Sequence, residues 1–220
     1  MSNTSLGLPD YLAVYLRRYG MREHPLLARL RDETAAMPEH NMQIAPEQGA
    51  FMALLVELMG ARRCVEVGTF TGYSSLAVAL SLPPDGRLTC FDVSEEWTAV
   101  ARRYWAEAGV ADRIELRLGD GVAGLDGLLA EGAAGTIDFA FVDADKVSYP
   151  AYHDRVFELL RPGGLVAYDN VFRGGRVADP TVNDEGVRAM RILNERLATD
   201  ERVTVSMIPI ADGLTLARKR

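Results

Sequence analysis

The stretch RVTVSMIPIADGLTLARKR, residues 202–220, holds two apolar runs, 202–210 and 214–220, separated only by the turn-like ADG. Strands joined that tightly must lie antiparallel, because a parallel pair needs a crossover of about a dozen residues. Upstream the chain reads as the opposite kind of sheet. From residue 63, nearly continuous apolar runs alternate with helical stretches near 73–81, 95–108, 120–130 and 149–160. The runs are RCVEV (63–67), RLTCFD (87–92), RIELRL (113–118), IDFAFVD (137–143) and GLVAYD (164–169). Such runs suit parallel strands covered on both faces, and the repeated strand–helix unit implies right-handed crossovers. A last helix near 183–199 precedes the closing pair. The expected fold is α/β: a doubly wound, Rossmann-like, mostly parallel seven-stranded sheet with an antiparallel C-terminal hairpin. That hairpin is less expected of a dinucleotide-binding domain.

Residues 9–59 read as helical, in LPDYLAVYLRRYG, HPLLARLRDETAAM and APEQGAFMALLVELMG. The third has Pro46 and Glu47 in its first turn and Gly60 just after its end, both good boundary signals. The apolar stripe of the first two (Leu12, Val14, Tyr15, Leu16, Tyr19, then Leu26, Leu27, Leu30) could cover the sheet. At 220 residues one domain spanning 1–220 is expected, with 1–45 as an N-terminal helical cap.

Composition narrows the partners. A formal net charge of −7 speaks against nucleic acid or an anionic membrane. Cys64 and Cys90 stand alone inside apolar runs, as buried reduced cysteines do, so a cytoplasmic protein without a disulfide framework is expected. No apolar run is long enough to span a bilayer, and MSNTSLGLPD lacks the charged and apolar regions of a signal peptide. His24, His40 and His153 show no zinc-ligand spacing.

The first strand runs into VEVGTFTGYSS, residues 65–75. Gly68 and Gly72 flank a tight strand-to-helix turn where a ligand can approach the backbone, although many α/β turns carry glycines for the turn alone. The G-x-x-x-G spacing is neither the dinucleotide fingerprint nor a phosphate loop. Asp92, 20 residues after Gly72, can accept ribose hydroxyls or cap the following helix, a role Ser94 fills equally well. Together loop and carboxylate point to a nucleoside-containing cofactor. Asp120 and Gly121 in LGDG (118–121) could line an adenine pocket, and Glu66 is an unusual filler for a strand interior.

Strand four ends in FVDADK (141–146) and strand five in YDN (168–170). If these strands are neighbours, Asp143, Asp169 and Asn170 converge beyond the carboxyl end of the sheet, where ligands of open α/β sheets bind. Two carboxylates and an amide oxygen form a hard, all-oxygen set suited to Mg²⁺, Ca²⁺ or Mn²⁺. Taken singly, each could instead be a loop cap.

These motifs resemble the class I S-adenosylmethionine-dependent, cation-dependent O-methyltransferases of the caffeoyl-CoA and catechol type. The resemblance runs from about residue 37 to the C-terminus, through NMQIAPEQGAF, VEVGTFTGYSSLAVAL, LTCFDV, FVDADKVSY, RPGGLVAYDN and IPIADGLTLARK. It implies Asp143, Asp169 and Asn170 as ligands of a divalent cation, Mg²⁺ foremost, and Lys146 as general base. It implies Ile44, Glu66, Gly68, Thr69, Ser74, Asp92 (on the ribose), Gly121 and Asp143 around S-adenosylmethionine or its product S-adenosylhomocysteine. Met42 and Asp145 fall toward a small aromatic hydroxyl substrate, Asp145 being alternatively a partner of Lys146. The family is usually dimeric, so a homodimer is expected. Two departures stand out: Gly121 where the family often has alanine, and VFRGGRVADP (171–180), where plant members continue with leucine and tryptophan. The second resembles bacterial members with small catechol-like acceptors and speaks against a coenzyme-A ester. Competing readings are a methyltransferase with another acceptor, a nicotinamide-dependent oxidoreductase, and a non-catalytic module on the same fold.

Overall fold

The computed structural model describes residues 5–220. Seven strands form one sheet: β1 (Arg63–Val67), β2 (Arg87–Asp92), β3 (Ile114–Leu118), β4 (Ile137–Val142), β5 (Leu160–Asp169), β6 (Val203–Ile208) and β7 (Leu214–Lys219). Their order is β3-β2-β1-β4-β5-β7-β6. The first five pair in parallel, and β7 pairs antiparallel with both β5 and β6, as the closing hairpin requires. The order reverses between β1 and β4, which opens a crevice at their carboxyl ends.

Eight helices accompany the sheet among the described residues: α1 (Asp10–Tyr19), α2 (Pro25–Ala35), α3 (Pro46–Met59), α4 (Tyr73–Ser81), α5 (Glu95–Glu107), α6 (Gly121–Ala130), α7 (Tyr149–Leu159) and α8 (Glu185–Thr199). The strand period of two splits the core into two layers. Cys64, Cys90, Phe139, Phe141 and Ala167 pack on the side of α2 to α5. Val65, Val67, Phe91, Val142 and Tyr168 pack on the side of α6 to α8. Both cysteines are buried and free. Among the described residues no helix is long and apolar enough to cross a membrane.

The expected N-terminal stripe divides. Leu27 and Leu30 of α2 are buried against the sheet layer. The α1 half does not cover the sheet: Tyr11, Val14, Tyr15 and Tyr19 are 62–72% exposed, because α1 packs only lightly, on α3.

Candidate active site

Chain reversal at the switch point sets the loop after β1 directly against the loop after β4. Gly68 has φ 90°, and a Cβ there would lie 1.9 Å from the Asp143 carbonyl oxygen. Only a residue without a side chain permits this approach. The hydrogen bonds from Gly68 N to Phe91 O (2.9 Å) and from Asp143 N to Val67 O (2.8 Å) fix both loops to the strands.

Asp92 has a role that the sequence reading did not include. Its Oδ2 accepts from the N–H groups of Thr69 (2.9 Å) and Phe70 (2.8 Å), and Oδ1 accepts from Ser94 N (2.8 Å). The carboxylate therefore holds the glycine loop and the entry to α5. Of the roughly two acceptor positions per oxygen, one on Oδ1 is left for a ribose hydroxyl. Ser94 is the N-cap of α5, accepting from Trp97 N. Glu66, 1% exposed, has no hydrogen-bond partner on either oxygen among the described residues. Burial pushes its carboxyl well above the usual range, opposed in part by nearby Ser74 and Thr69. A buried unpartnered carboxyl is costly, so this one is fitted to a donor that arrives with a ligand.

Strand parity and register assemble the second half. Glu66 shares a face with Cys64, and Asp169 with Ala167, so both acids point to the α2–α5 side. One step beyond the Val142–Tyr168 pair, Asp143 and Asp169 come side by side. Burial, reinforced by the Asp143 charge, pushes the Asp169 carboxyl well above the usual range, against the pull of Lys146. Asp169 Oδ1 accepts from Asn170 N (2.6 Å), while Oδ2 has no partner among the described residues. Gln48 of α3 is fully buried, and neither of its amide atoms has a hydrogen-bond partner among the described residues. Asn170 adopts φ 58° and is 6% exposed.

Lys146 pairs with Asp143 (Nζ to Oδ1, 2.6 Å) and donates to the Tyr149 hydroxyl (2.9 Å). The alternative ion pair of Lys146 with Asp145 or Asp169 is not formed among the described residues. Asp145 instead caps the 3-10 turn at 146–148, accepting from Ser148 N (3.1 Å) and from the Tyr152 hydroxyl. The turn carries Lys146 round to Asp143, three residues back, and leaves Asp145 facing α7.

Both halves open into one cavity of about 480 Å³. Met42, Ile44, Gly68, Thr69, Ser74 and Asp92 line it, as do Gly121, Asp143, Asp145, Lys146 and Asn170. Glu66 and Asp169 do not; they lie fully buried behind it. Five residues important to the cavity or its support lay outside the sequence reading. Phe70 and Trp97 stack edge-on (5.3 Å, 75°) at the glycine-loop end. Arg173 also lines the cavity, Tyr149 ties the β4 and β5 ends together through Val142 O and Asp169 O (3.1 Å each), and Gln48 is buried near Asp169. An aromatic residue between the two loop glycines was a readable signal for Phe70; the others depend on long-range packing.

Among the described residues no three His, Cys, Asp or Glu side chains gather as a metal-holding group. The set at the β4 and β5 ends has two carboxylates and one amide. Its adjacent acids and the orphaned Asp169 Oδ2 nonetheless suit a small hard cation, which relieves like-charge repulsion and supplies the missing partner.

Residues 17–220 match the family model described as O-methyltransferase. The chain is 44% identical over 205 residues to catechol O-methyltransferase domain-containing protein 1 of Mus musculus, covering 93% of this chain and 78% of that one. It is 40% identical over 227 residues to the caffeoyl-CoA O-methyltransferase of Eucalyptus gunnii, covering 100% and 91%. The crystal structure of the O-methyltransferase TomG from Streptomyces achromogenes, in complex with SAM, superposes with a TM-score of 0.86 at 36% identity over 96% of both chains.

Proposed function

The chain belongs to the O-methyltransferase family and is an S-adenosylmethionine-dependent enzyme, and from that premise we propose that it methylates a hydroxyl of a vicinal dihydroxy aromatic small molecule with a divalent cation, Mg²⁺ foremost and Ca²⁺ or Mn²⁺ next. The observation that carries this reading is the shared cavity onto which the glycine loop, Asp143, Asn170 and Lys146 all open, with Asp169 Oδ2, unpartnered among the described residues, behind them. Gly68, Thr69, Ser74, Ile44 and Gly121 would flank the cofactor, Asp92 would contribute one acceptor position, and Glu66 would meet a donor such as the methionyl ammonium. Asp143, Asp169 and Asn170 would hold the cation, and Met42 would border the acceptor.

The reaction breaks the sulfonium S–CH₃ bond, forms O–CH₃ and releases the hydroxyl proton. A phenol of pKa near 10 is mostly protonated at neutral pH. A divalent cation supplies Lewis acidity that lowers this pKa and a template that two adjacent hydroxyls can occupy. Lys146 takes the proton. Its Nζ has Asp143 and Tyr149 as partners and lines the cavity, which leaves its third position to the acceptor hydroxyl. Asp145 acts by shaping the 146–148 turn that aims Lys146. Positioning of hydroxyl and methyl supplies much of the acceleration.

The test is methylation of catechols and single phenols by chelator-stripped enzyme, with and without added Mg²⁺, Mn²⁺ or Ca²⁺. Catechol methylation restored by metal is the expected result; full activity in excess EDTA after stripping overturns the cation role. The exposed Tyr11, Val14, Tyr15 and Tyr19 of α1 also support the expected homodimer, which sedimentation would check.

A further inference from the structure

Four carboxylates line the cavity, and each is engaged within the chain. Asp92 holds the glycine loop, Asp120 caps α6 through Ala123 N (2.8 Å), Asp143 pairs with Lys146, and Asp145 caps the 146–148 turn. The lining cations differ. Lys146 has its two partners, whereas the guanidinium of Arg173 has no ion pair or hydrogen bond among the described residues, and its buried Nε is unpartnered. The N-cap acid of the following helix, Asp184, is already taken: Oδ2 pairs with Arg176 and Oδ1 caps α8 through Val187 N (3.1 Å). A buried guanidinium N–H without an acceptor needs a reason.

The loop around Arg173 is held in place. Phe172 N donates to Asp212 O (3.0 Å) and Gly174 N to Asp212 Oδ1 (2.6 Å). Asp212 belongs to the turn between β6 and β7 and is 6% exposed. Arg173 itself sits at φ 51°, a conformation uncommon for a side chain of this size. The pinning thus turns the arginine toward the cavity. It lies on the Lys146 side: a Cβ built on Gly186 would be 3.5 Å from Lys146 Cβ and 3.7 Å from Arg173 Nη2. The glycine loop follows β1 and meets the β4 loop at Gly68 and Asp143.

The geometry points to Arg173 as a specificity-determining residue that reads a carboxylate on the acceptor, so that the preferred substrate class is a vicinal dihydroxy aromatic acid. A planar guanidinium fork matches a carboxylate in two parallel hydrogen bonds, and its placement beside Lys146 sets that carboxylate on the part of the cavity that receives the acceptor. The inference rests on the O-methyltransferase reading of the same cavity. The methionyl tail of the cofactor carries a carboxylate too, and the experiment separates the two sources.

The probes are 3,4-dihydroxybenzoate and its methyl ester, assayed on wild type, Arg173→Met and Arg173→Lys, with S-adenosylhomocysteine affinity measured by calorimetry on each. Wild type prefers the acid, and Arg173→Met reduces the acid-to-ester ratio of kcat/KM by about tenfold or more, mainly through KM. Comparing ratios between variants cancels the different ring acidity of acid and ester. Arg173→Lys recovers part of the preference, and product affinity stays close to wild type. An unchanged ratio in Arg173→Met overturns the inference, as does a loss of S-adenosylhomocysteine affinity matching the loss in kcat/KM, which assigns the arginine to the cofactor. If neither compound is methylated, the catechol reading fails. Titration of the acid onto enzyme saturated with S-adenosylhomocysteine then decides the arginine: binding that Arg173→Met loses supports its role, and no binding overturns it.

Discussion

Gly68→Ala tests the contact that joins the two halves of the site. The added methyl would sit 1.9 Å from the Asp143 carbonyl oxygen and 2.6 Å from its carbon, whereas ordinary contact begins at 3.4 Å. The two loops must separate by about 1.5 Å, yet each is hydrogen-bonded to a central strand. Alanine at φ 90° adds roughly 1–2 kcal/mol of backbone strain, and overpacking of this kind costs about 1–3 kcal/mol more. A loss of about 2–5 kcal/mol corresponds to a fall in thermal midpoint of about 4–20 °C for a chain of this size. Because the displaced atom belongs to Asp143, affinity for S-adenosylhomocysteine and for Mn²⁺ should weaken together. Gly127→Ala is the control: it is helical, with no neighbour within 4 Å, and should stabilise by about 0.5–1 kcal/mol. Scanning calorimetry and ligand titration read both variants. A Gly68→Ala protein within about 0.5 kcal/mol of wild type, with unchanged ligand affinity, would refute the close-approach argument.

Asp92→Asn removes an acceptor from a group that serves three backbone N–H donors, so both the thermal midpoint and cofactor affinity should fall; a loss of affinity alone would return the residue to a purely ribose-binding role. The fully buried Tyr149 hydroxyl accepts from Lys146 and lies 3.1 Å from the carbonyl oxygens of Val142 and Asp169, at the two strand ends that carry the aspartates. Tyr149→Phe should lower kcat about tenfold with little change in KM, and should add nothing to Lys146→Met; additive losses would mean that the hydroxyl acts independently of the lysine. His153 is buried beside the Tyr168 hydroxyl (2.7 Å), and burial, helped by Arg196, lowers its pKa to about 4. The unfolded chain then binds the proton first as pH falls. The stability contribution is full above about pH 6.5 and declines toward pH 4, by about 3 kcal/mol in all. His153→Gln should flatten that part of the midpoint-versus-pH curve, and an unchanged slope would place the titration elsewhere.

The parts that could be read from sequence are those where local pattern and burial coincide. Runs such as IDFAFVD are apolar because both faces are covered, so strand positions follow directly. Glycine at 68 and the acids at 143 and 169 stand out because each is unfavourable at a strand end without a ligand or a close contact. Pairings were less accessible. Whether Lys146 meets Asp143 or Asp145 depends on a short 3-10 turn, and both acids lie within its reach in sequence. The α1 stripe looks the same whether it covers a sheet or faces outward, since amphipathicity records an apolar face and not its partner.

Arg173 shows the limit most clearly. Nothing within VFRGGRVADP says that its arginine turns inward, because the atoms that hold the loop come from Asp212, 38 residues beyond Gly174. That aspartate lies in the ADG turn joining the last two strands. The hairpin read first as a sign of the sheet's topology therefore also fixes the loop that carries Arg173 to the cavity. Asp212→Ala should accordingly shift acid-to-ester preference in the same direction as Arg173→Met while leaving the guanidinium in place, because the loop loses its carboxylate anchor. Unchanged preference in Asp212→Ala would mean that the Phe172–Asp212 backbone bond holds the loop without the side chain.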